Sequence, residues 1–438
     1  MLTKVKPLTL PISNGRFENN QVVLSTPVVL APMAGITNAA FRRLCREQGA
    51  GLFVSEMVTA RALIERREET FRLIKPGVGE SPRSIQLYAV DPTVLGKAVD
   101  LLGSEDLADH IDLNFGCPVP KVTRRGGGAA LPFKRKLFSA IVDAALKSAS
   151  KYGIPVTVKM RVGINSDHQT FLESAKSAAD LGVTWVALHA RTAAQLYEGR
   201  SDWNKITELV EHLSDTDVPV LGNGDIWSGE DAVNMINQTG CAGVVVGRGC
   251  LGRPWLFADL VSAINGENKR VNPNLFQVRE IMIRHGQLLI EYFENEDRAM
   301  RDIRKHMAWY LKGFSVPREI RSSLGMVSSL VEMEQLLSGL QDQPYPQEVG
   351  DGPRGRTSQG REVKLPAGWL DDPDELATIT IDDALKLLSL PRILGTNSAG
   401  EDITIQNGRY GPYLKAGADS RTLTSEEQLF TMTLDEAL

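Results

Sequence analysis

Between Val28 and Gly249 the chain alternates short apolar runs with amphipathic stretches of helical length. The runs are VVLAPMAG (28–35), LFVSEMV (52–58), SIQLYAV (84–90), HIDLNFGCP (110–118), VTVKMRV (156–162), WVALHAR (185–191), VPVLGNGDI (218–226) and AGVVVGRG (242–249). Runs this rich in Val, Ile and Leu, each followed by room for a helix, predict parallel β/α units with both sheet faces buried. Eight such units in about 220 residues have the size of a TIM (β/α)8 barrel. A doubly wound sheet is the competing arrangement of the same α/β pattern.

From about Pro273 the period changes to that of helices. Over Arg298–Lys312, Met300, Ile303, Met307, Tyr310 and Leu311 fall on one side, and Arg298, Arg301, Lys305 and Lys312 on the other. From Gln341 to Gly368 the chain is rich in Pro, Gly and Arg, the composition of a linker or extended arm. A weak repeat follows: LATITIDDAL (376–385) matches LFTMTLDEAL (429–438), with NGRYGPYLK (407–415) between them. The expected organisation is a barrel over residues 1–265, a helical-bundle domain over 273–343, a linker or arm over 344–372, and a small repeat region over 373–438.

Composition narrows the class. The 438 residues are 42% hydrophobic and 24% charged, ordinary for a globular protein of two or three domains. No apolar run approaches the roughly 18 residues of a membrane span, and Met1–Gly15 lacks the apolar stretch of a secretory signal. The four cysteines, Cys45, Cys117, Cys241 and Cys250, have no metal-like or paired spacing, so a reduced, cytoplasmic setting with no metal is expected. The net charge of −5 is uneven. Residues 373–438 contain 5 Lys+Arg and 11 Asp+Glu, which leaves 44 against 43 for the rest. An RNA partner would therefore need a local basic patch. Residues 298–321 supply one, with seven basic and two acidic residues. It suits a grip on a phosphate backbone, and equally a solvated helix face.

The candidate chemistry clusters at the strand ends. Met33, Gln86, Asn114, Cys117, Lys159, Arg161, His189, Arg191, Asn223 and Arg248 all lie in or near the later part of a run. In a TIM barrel those ends converge on one mouth, where active sites lie. Lys159 and Arg161, like His189 and Arg191, are two apart and so share a strand face. Cys117 is open to three roles: nucleophile, general acid or loop residue. The turns Gly222-Asn223-Gly224-Asp225 and Gly247-Arg248-Gly249 follow runs seven and eight, where barrels commonly bind a cofactor phosphate. Glycines admit backbone N–H groups to the oxygens, and Arg248 adds charge. The other three cysteines read as structural.

With these residues in place, APMAGITNAAFR (31–42), SIQLYA (84–89), DLNFGCP (112–118), VKMR (158–161), HARTAAQLYEG (189–199), GNGDI (222–226) and VVGRG (245–249) together resemble the bacterial tRNA-dihydrouridine synthases. The likeness covers about residues 25–370, and DLNFGCP is its most specific element. Residues 124–129, RRGGGA, follow the B-like subgroup that modifies the D-loop. The resemblance implies FMN against Pro32, Met33 and Ala34, with Gln86, Lys159 and His189 at its ring. It implies Asn223, Gly224, Asp225, Gly247 and Arg248 on the phosphate side. Asn114, Lys159, Arg161, His189 and Arg191 would surround the uracil, and Cys117 would be the proton donor. It further implies NADPH (or NADH) as reductant, hydride delivery to uracil carbon 6, and proton delivery to carbon 5. The substrate would be tRNA with its uridine turned out of the stack, gripped by Arg298, Arg301, Lys305 and Lys312. A monomer is expected. The tail departs from that family. It resembles the C-terminal repeats of bacterial type I topoisomerases, whose single-strand chemistry Arg409, Tyr410, Tyr413 and Lys415 match. Its acidic balance points instead to an inert appendage.

Two other functions fit parts of the pattern. One is an FMN-dependent dehydrogenase of a free pyrimidine, which would not need the basic helical face. The other is a non-catalytic RNA-binding chaperone.

Overall fold

The computed structural model describes residues 6–49, 51–267, 269–347, 352–353, 359–371, 389–408, 411–425 and 428–438. The first repeat copy, 376–385, and the residues Arg409 and Tyr410 lie outside the described residues.

Each of the eight apolar runs contributes one strand. After a hairpin of β1 (Leu8–Leu10) and β2 (Val22–Leu24), the strands are β3 (Val28–Leu30), β4 (Leu52–Thr59), β5 (Ser84–Tyr88), β6 (His110–Phe115), β7 (Val156–Arg161), β8 (Val186–His189), β9 (Val220–Asn223) and β10 (Gly243–Val246). Strands β3 to β10 pair in parallel, in sequence order, and β10 closes onto β3. The doubly wound alternative is therefore excluded: a (β/α)8 barrel is the observed fold.

Helices α1 (Ala39–Arg46), α2 (Ala60–Ile64), α3 (Glu68–Ile74), α4 (Pro92–Ser104), α5 (Pro120–Thr123), α6 (Arg135–Ser150), α7 (Phe171–Leu181), α8 (Asn204–His212), α9 (Gly229–Thr239) and α10 (Leu256–Ile264) accompany the strands. Outward-facing strand residues such as Leu30, Leu87, Leu113, Val158, Leu188 and Val246 pack against apolar helix faces. Inward-facing Val29, Val54, Trp185, Ala187, Leu221 and Val245 pack with Leu8, Leu10, Ile12 and Leu24 of the hairpin segment. Both faces are apolar, so the runs read as continuous rather than alternating.

One sector of the barrel interior is polar. Ser84, Gln86, His110, Asp112 and Thr157 are all buried. The neutral His110 Nε2–H donates to Thr157 Oγ1 (2.9 Å), and the Thr157 hydroxyl donates to Asp112 Oδ1 (2.7 Å). Ser84 completes the run at His110 Nδ1 (2.7 Å). Burial holds His110 neutral, with its pKa lowered to about 3. Each group in the chain is satisfied, as burial requires.

Residues 275–338 form α11 (Leu275–Phe293), α12 (Glu296–Tyr310), α13 (Arg318–Leu324) and α14 (Leu330–Ser338). Asn274 and Gln277 make a reciprocal capping box at the start of α11, and Asn295 caps α12. The predicted apolar side of α12 is the buried one: Met300, Ile303, Met307, Tyr310 and Leu311 join Val278, Met282, Leu289 and Met333. Ala40 and Leu44 of α1 enter the same cluster, which docks these helices on the barrel.

Two compact units divide the chain, Met1–Pro373 and Asp374–Leu438. In the second, β11 (Arg392–Thr396), β12 (Asp402–Gly408), β13 (Gly411–Ala416) and β14 (Asp419–Thr422) form an antiparallel sheet in that order. Ile405, Leu423 and Leu429 form a buried cluster in it, and Ile403 of β12 is buried as well. Among the described residues no helix is long and apolar enough to cross a membrane, and no group of three or more His, Cys, Asp or Glu is placed to hold a metal ion.

Candidate active site

A cavity of about 450 Å³ opens at the C-terminal ends of the strands. Pro32, Met33, Ala34, Gln86, Asn114, Cys117, Lys159, Arg161, His189, Asn223, Gly224, Asp225, Gly247 and Arg248 all line it. These side chains come from separate strand ends, and the barrel brings them together through register. Asn114 stands beside Lys159, Arg161 beside His189, and His189 beside Asn223.

Hydrogen bonds fix the thiol loop to the barrel. Gln86 Nε2 donates to Asp112 Oδ2 (2.7 Å), and Asn114 Nδ2 donates to Gln86 Oε1 (2.8 Å). The Asn114 carbonyl oxygen then accepts the backbone N–H groups of Gly116 (3.2 Å) and Cys117 (2.9 Å). The interior polar chain thus runs from Ser84 to the loop that carries the sulfur. Burial raises the Cys117 thiol above its ordinary value of 9.0, so it is protonated at neutral pH. Asp112, which anchors this chain, is raised to about 6, chiefly by burial.

The cations have distinct surroundings. Lys159 Nζ donates to Asn223 Oδ1 at 3.0 Å, while Asn223 Nδ2 donates to Val245 O. Burial, then the nearby Arg161, lowers Lys159 to about 8. Burial also lowers Arg161, to about 10. His189 is driven well below its usual value by burial and by the charges of Arg161, Lys159, Arg191 and Arg248, so it is neutral. Arg161 donates to the carbonyls of Gly116 (3.0 Å), Thr192 (2.8 Å) and Leu196 (3.0 Å), tying the thiol loop to the loop after β8.

Arg191 stands apart from the other expected site residues. It is buried and does not line the cavity. Its Nη2 donates to Gly199 O and to Asp225 Oδ2, each at 2.7 Å. Asp225 in turn approaches Arg248 at 3.3 Å through Oδ1. Arg191 therefore organises the wall through Asp225 rather than meeting a ligand directly. The turn before Asp225 needs glycine twice over: Gly224 has φ +129°, and a Cβ there would lie 2.1 Å from Ser201 Oγ.

The expected basic stripe on α12 is interrupted. Arg298 pairs with Glu69 (3.1 Å), and Arg301 pairs with Asp297. Lys305 is half-buried, pairs with Asp302 at 2.5 Å and lies near Glu56, whose pKa is raised by burial against the opposing pull of the Gly35 N–H and the Lys305 charge. Glu56 Oε2 accepts the N–H of Gly35, next to the Pro32–Ala34 wall. Lys305 is thus paired within its own helix and also lies within the electrostatic reach of Glu56 on β4. Lys312 donates to Pro353 O. Arg304 and Arg321 are spent on backbone carbonyls: Val327 for the first; Val316, Leu311 and Phe314 for the second.

Three aromatic lining residues were not singled out by sequence reasoning: Tyr197, Trp227 and Trp309. The Arg248 guanidinium lies 4.1 Å from the Tyr197 ring centre and 5.2 Å from that of Trp227. Tyr197 falls inside the quoted motif HARTAAQLYEG, which was the available signal; Trp309 falls on the basic side of α12, beside Arg298 and Lys305 in angle. Cys45, Cys241 and Cys250 are buried and free, as their structural reading expects.

These donors suit a planar ring rich in acceptors and carrying a phosphate. Lys159, Asn114 and Gln86 can face ring carbonyls across the apolar Met33 and Ala34, and bare backbone at Gly224 leaves room beside Arg248. Flavin mononucleotide has that chemistry and fits the residues present. Fold and site define the class: a flavin-dependent oxidoreductase on a (β/α)8 barrel.

Comparison with known proteins sharpens this. The family model described as dihydrouridine synthase matches residues 29–345. A probable tRNA-dihydrouridine synthase of Mycobacterium tuberculosis is 53% identical over 362 residues, covering 81% of this chain and 92% of that protein. Its counterpart in Mycobacterium leprae is 50% identical over 374 residues, covering 79% and 96%. The tRNA-dihydrouridine synthase B of Pseudomonas aeruginosa is 38% identical over 301 residues, covering 68% and 88%. The chain belongs to the dihydrouridine synthase family. Residues 396–438 match a second family model, the topoisomerase C-terminal repeat.

Proposed function

We propose that this protein is a tRNA-dihydrouridine synthase that binds FMN in the barrel mouth and uses NADPH as reductant, acting as a cytoplasmic monomer. The observation that carries the proposal is the position of Cys117. Its protonated thiol lines the same cavity as Lys159, His189 and Arg248.

Pro32, Met33 and Ala34 would form the apolar wall for the ring, with Gln86, Lys159 and His189 along its polar edge. Asn223, Gly224, Gly247 and Arg248 would hold the phosphate side. The Asp225 carboxylate would orient Arg248, since its own charge would repel a phosphate. Bound flavin supplies the hydride that reduces carbon 6 of the uracil.

This chain's residues manage the charge and the proton. Lys159 and Asn114 stabilise the negative charge that develops on the uracil carbonyl, inside a site where burial strengthens the attraction. Arg161 contributes its field while its donors hold the two loops. Cys117 Sγ gives its proton to carbon 5 and becomes a thiolate, which Arg161 is near enough to stabilise. Neutral His189 adds a hydrogen-bonding group without competing as a cation. Arg298 and Arg301 are exposed cations suited to a phosphate backbone, each exchanging its carboxylate for a phosphate. Lys312 lies further along the same region. Lys305 lies near Glu56 of β4, which holds the Gly35 N–H, and so supports the wall formed by Pro32–Ala34.

The test is single-turnover reduction of unmodified tRNA by the FMN-loaded, NADPH-reduced protein, with free uridine as a second substrate. Reduction of tRNA that outpaces uridine supports the proposal. Equal rates on both would support a free-pyrimidine dehydrogenase instead.

A further inference from the structure

Residues 126–128 are three consecutive buried glycines, each pressed by a different neighbour. A Cβ on Gly126 would lie 2.3 Å from the Trp369 ring. One on Gly127 would lie 2.3 Å from the Tyr88 ring. One on Gly128 would lie 2.4 Å from Cys117 O and 3.1 Å from Cys117 Cβ. The segment is a thin layer of backbone between the indole of Trp369 and the residue that carries the thiol.

Trp369 belongs to the segment 344–372 expected as a linker or extended arm. Its segment 359–371 is anchored on the barrel loops. The Trp369 indole N–H donates to Ala130 O (3.2 Å), and Lys134 Nζ lies 5.3 Å from its ring centre. Ala129 N donates to Cys117 O at 3.0 Å, so the residue beside that contact is bonded directly to the thiol residue. At the other end of the arm, Arg361 N donates to Ala194 O (2.8 Å) and Gly360 N donates to Glu198 Oε2 (2.5 Å). That second loop carries Tyr197 and the Leu196 carbonyl held by Arg161. The arm therefore grips the same two loops that Arg161 joins from inside.

We infer that Trp369 is a positioning residue for uridine reduction: the arm clamps the Cys117 loop against the barrel mouth and sets where the thiol delivers its proton. The inference rests on the proposed synthase activity. It makes a prediction that splits the catalytic cycle. The brace touches the thiol loop, not the lining assigned to the cofactor, so it affects the tRNA half-reaction and leaves the flavin half-reaction alone.

The experiment uses the full-length holoprotein carrying Trp369→Ala or Trp369→Phe. Flavin content and the rate of flavin reduction by NADPH are measured first, and both are expected to match the parent. Alkylation of Cys117 by iodoacetamide, followed by peptide mass spectrometry, is expected to speed up several-fold in Trp369→Ala as the loop loosens. Single-turnover tRNA reduction is expected to fall about 10- to 100-fold, the scale of a small misplacement of a reacting group. Trp369→Phe keeps a ring on Gly126 and should recover most of both properties. Trp369→Leu replaces the alanine variant if that protein does not fold. Parental alkylation and parental tRNA turnover in the Ala or Leu variant would overturn the inference. Equal loss in both half-reactions would overturn it too, since that is general destabilisation. A parent protein inactive on tRNA would instead refute the activity itself, and the alkylation rates would still decide whether Trp369 holds the loop.

Discussion

The side-chain oxygen of Asn114 accepts the backbone N–H of Cys117 at 2.9 Å. A residue still within strand β6 thus fixes the start of the loop that bears the thiol. Through Gln86 and Asp112 the same contact reaches the buried polar chain of the barrel interior.

Asn114→Ala is expected to release the loop while leaving the barrel folded. The tRNA half-reaction should drop on the order of 10²-fold, and flavin reduction by NADPH should change little. Stopped-flow measurement of the two half-reactions separates these effects.

Lys159 predicts a pH limb. Burial brings its pKa down to about 8, so its positive charge is present below that pH and lost as pH rises through it. Single-turnover tRNA reduction should therefore decline above about pH 8. The Cys117 thiol is raised above 9.0 and loses its proton only at higher pH, so it does not produce this limb. A Lys159→Met variant should be slower at pH 7 and show no decline near pH 8.

Asp112 carries a signature in stability. Its folded pKa is raised from the ordinary 3.8 to about 6. Between those values the folded state binds the proton more tightly than the unfolded state, so this group's contribution falls as pH rises from 4 to 6. Its cost then stands in full above 6. Asp112→Asn should flatten that part of the stability profile. Asp112→Ala strands the Gln86 and Thr157 donors and should destabilise by roughly 1–3 kcal/mol in denaturant titrations.

The basic helix face gives a prediction about RNA. Arg298→Glu and Arg301→Glu should weaken tRNA binding and reduce its dependence on salt by about one unit of slope for each phosphate no longer neutralised. FMN binding should be unaffected. Lys305→Glu is expected to differ, because it sets a third carboxylate beside Asp302 and Glu56 and so disturbs the Gly35 loop. An unchanged tRNA affinity in the two arginine variants would assign that face to solvent alone.

Much of this was legible in the chain because barrel strands are buried on both faces and therefore read as unbroken Val, Ile and Leu. The two-residue spacing of Lys159 and Arg161 placed both on the inner face of one strand, and the structure has them there. Loops were less readable, since no local period governs them. Tyr197, Trp227 and Trp309 reach the cavity through tertiary packing. Trp369 does not line the cavity, and it reaches the glycine loop it covers from more than two hundred residues further along the chain. Side-chain charge counts also mislead where partners are distant in sequence: Arg191 looked like a ligand-binding group but is committed to Asp225 and Gly199, and Lys305 turns inward to Asp302 and Glu56.

The central claim is that Cys117 protonates a uracil reduced in this cavity. The direct measurement is mass spectrometry of unmodified tRNA after incubation with FMN-loaded protein and NADPH, for the parent and for Cys117→Ala. The parent should convert one uridine to dihydrouridine at a defined position, and Cys117→Ala should do so about 10²- to 10⁴-fold more slowly with its flavin still bound and reducible. Dihydrouridine formed at the parental rate by Cys117→Ala would contradict the account.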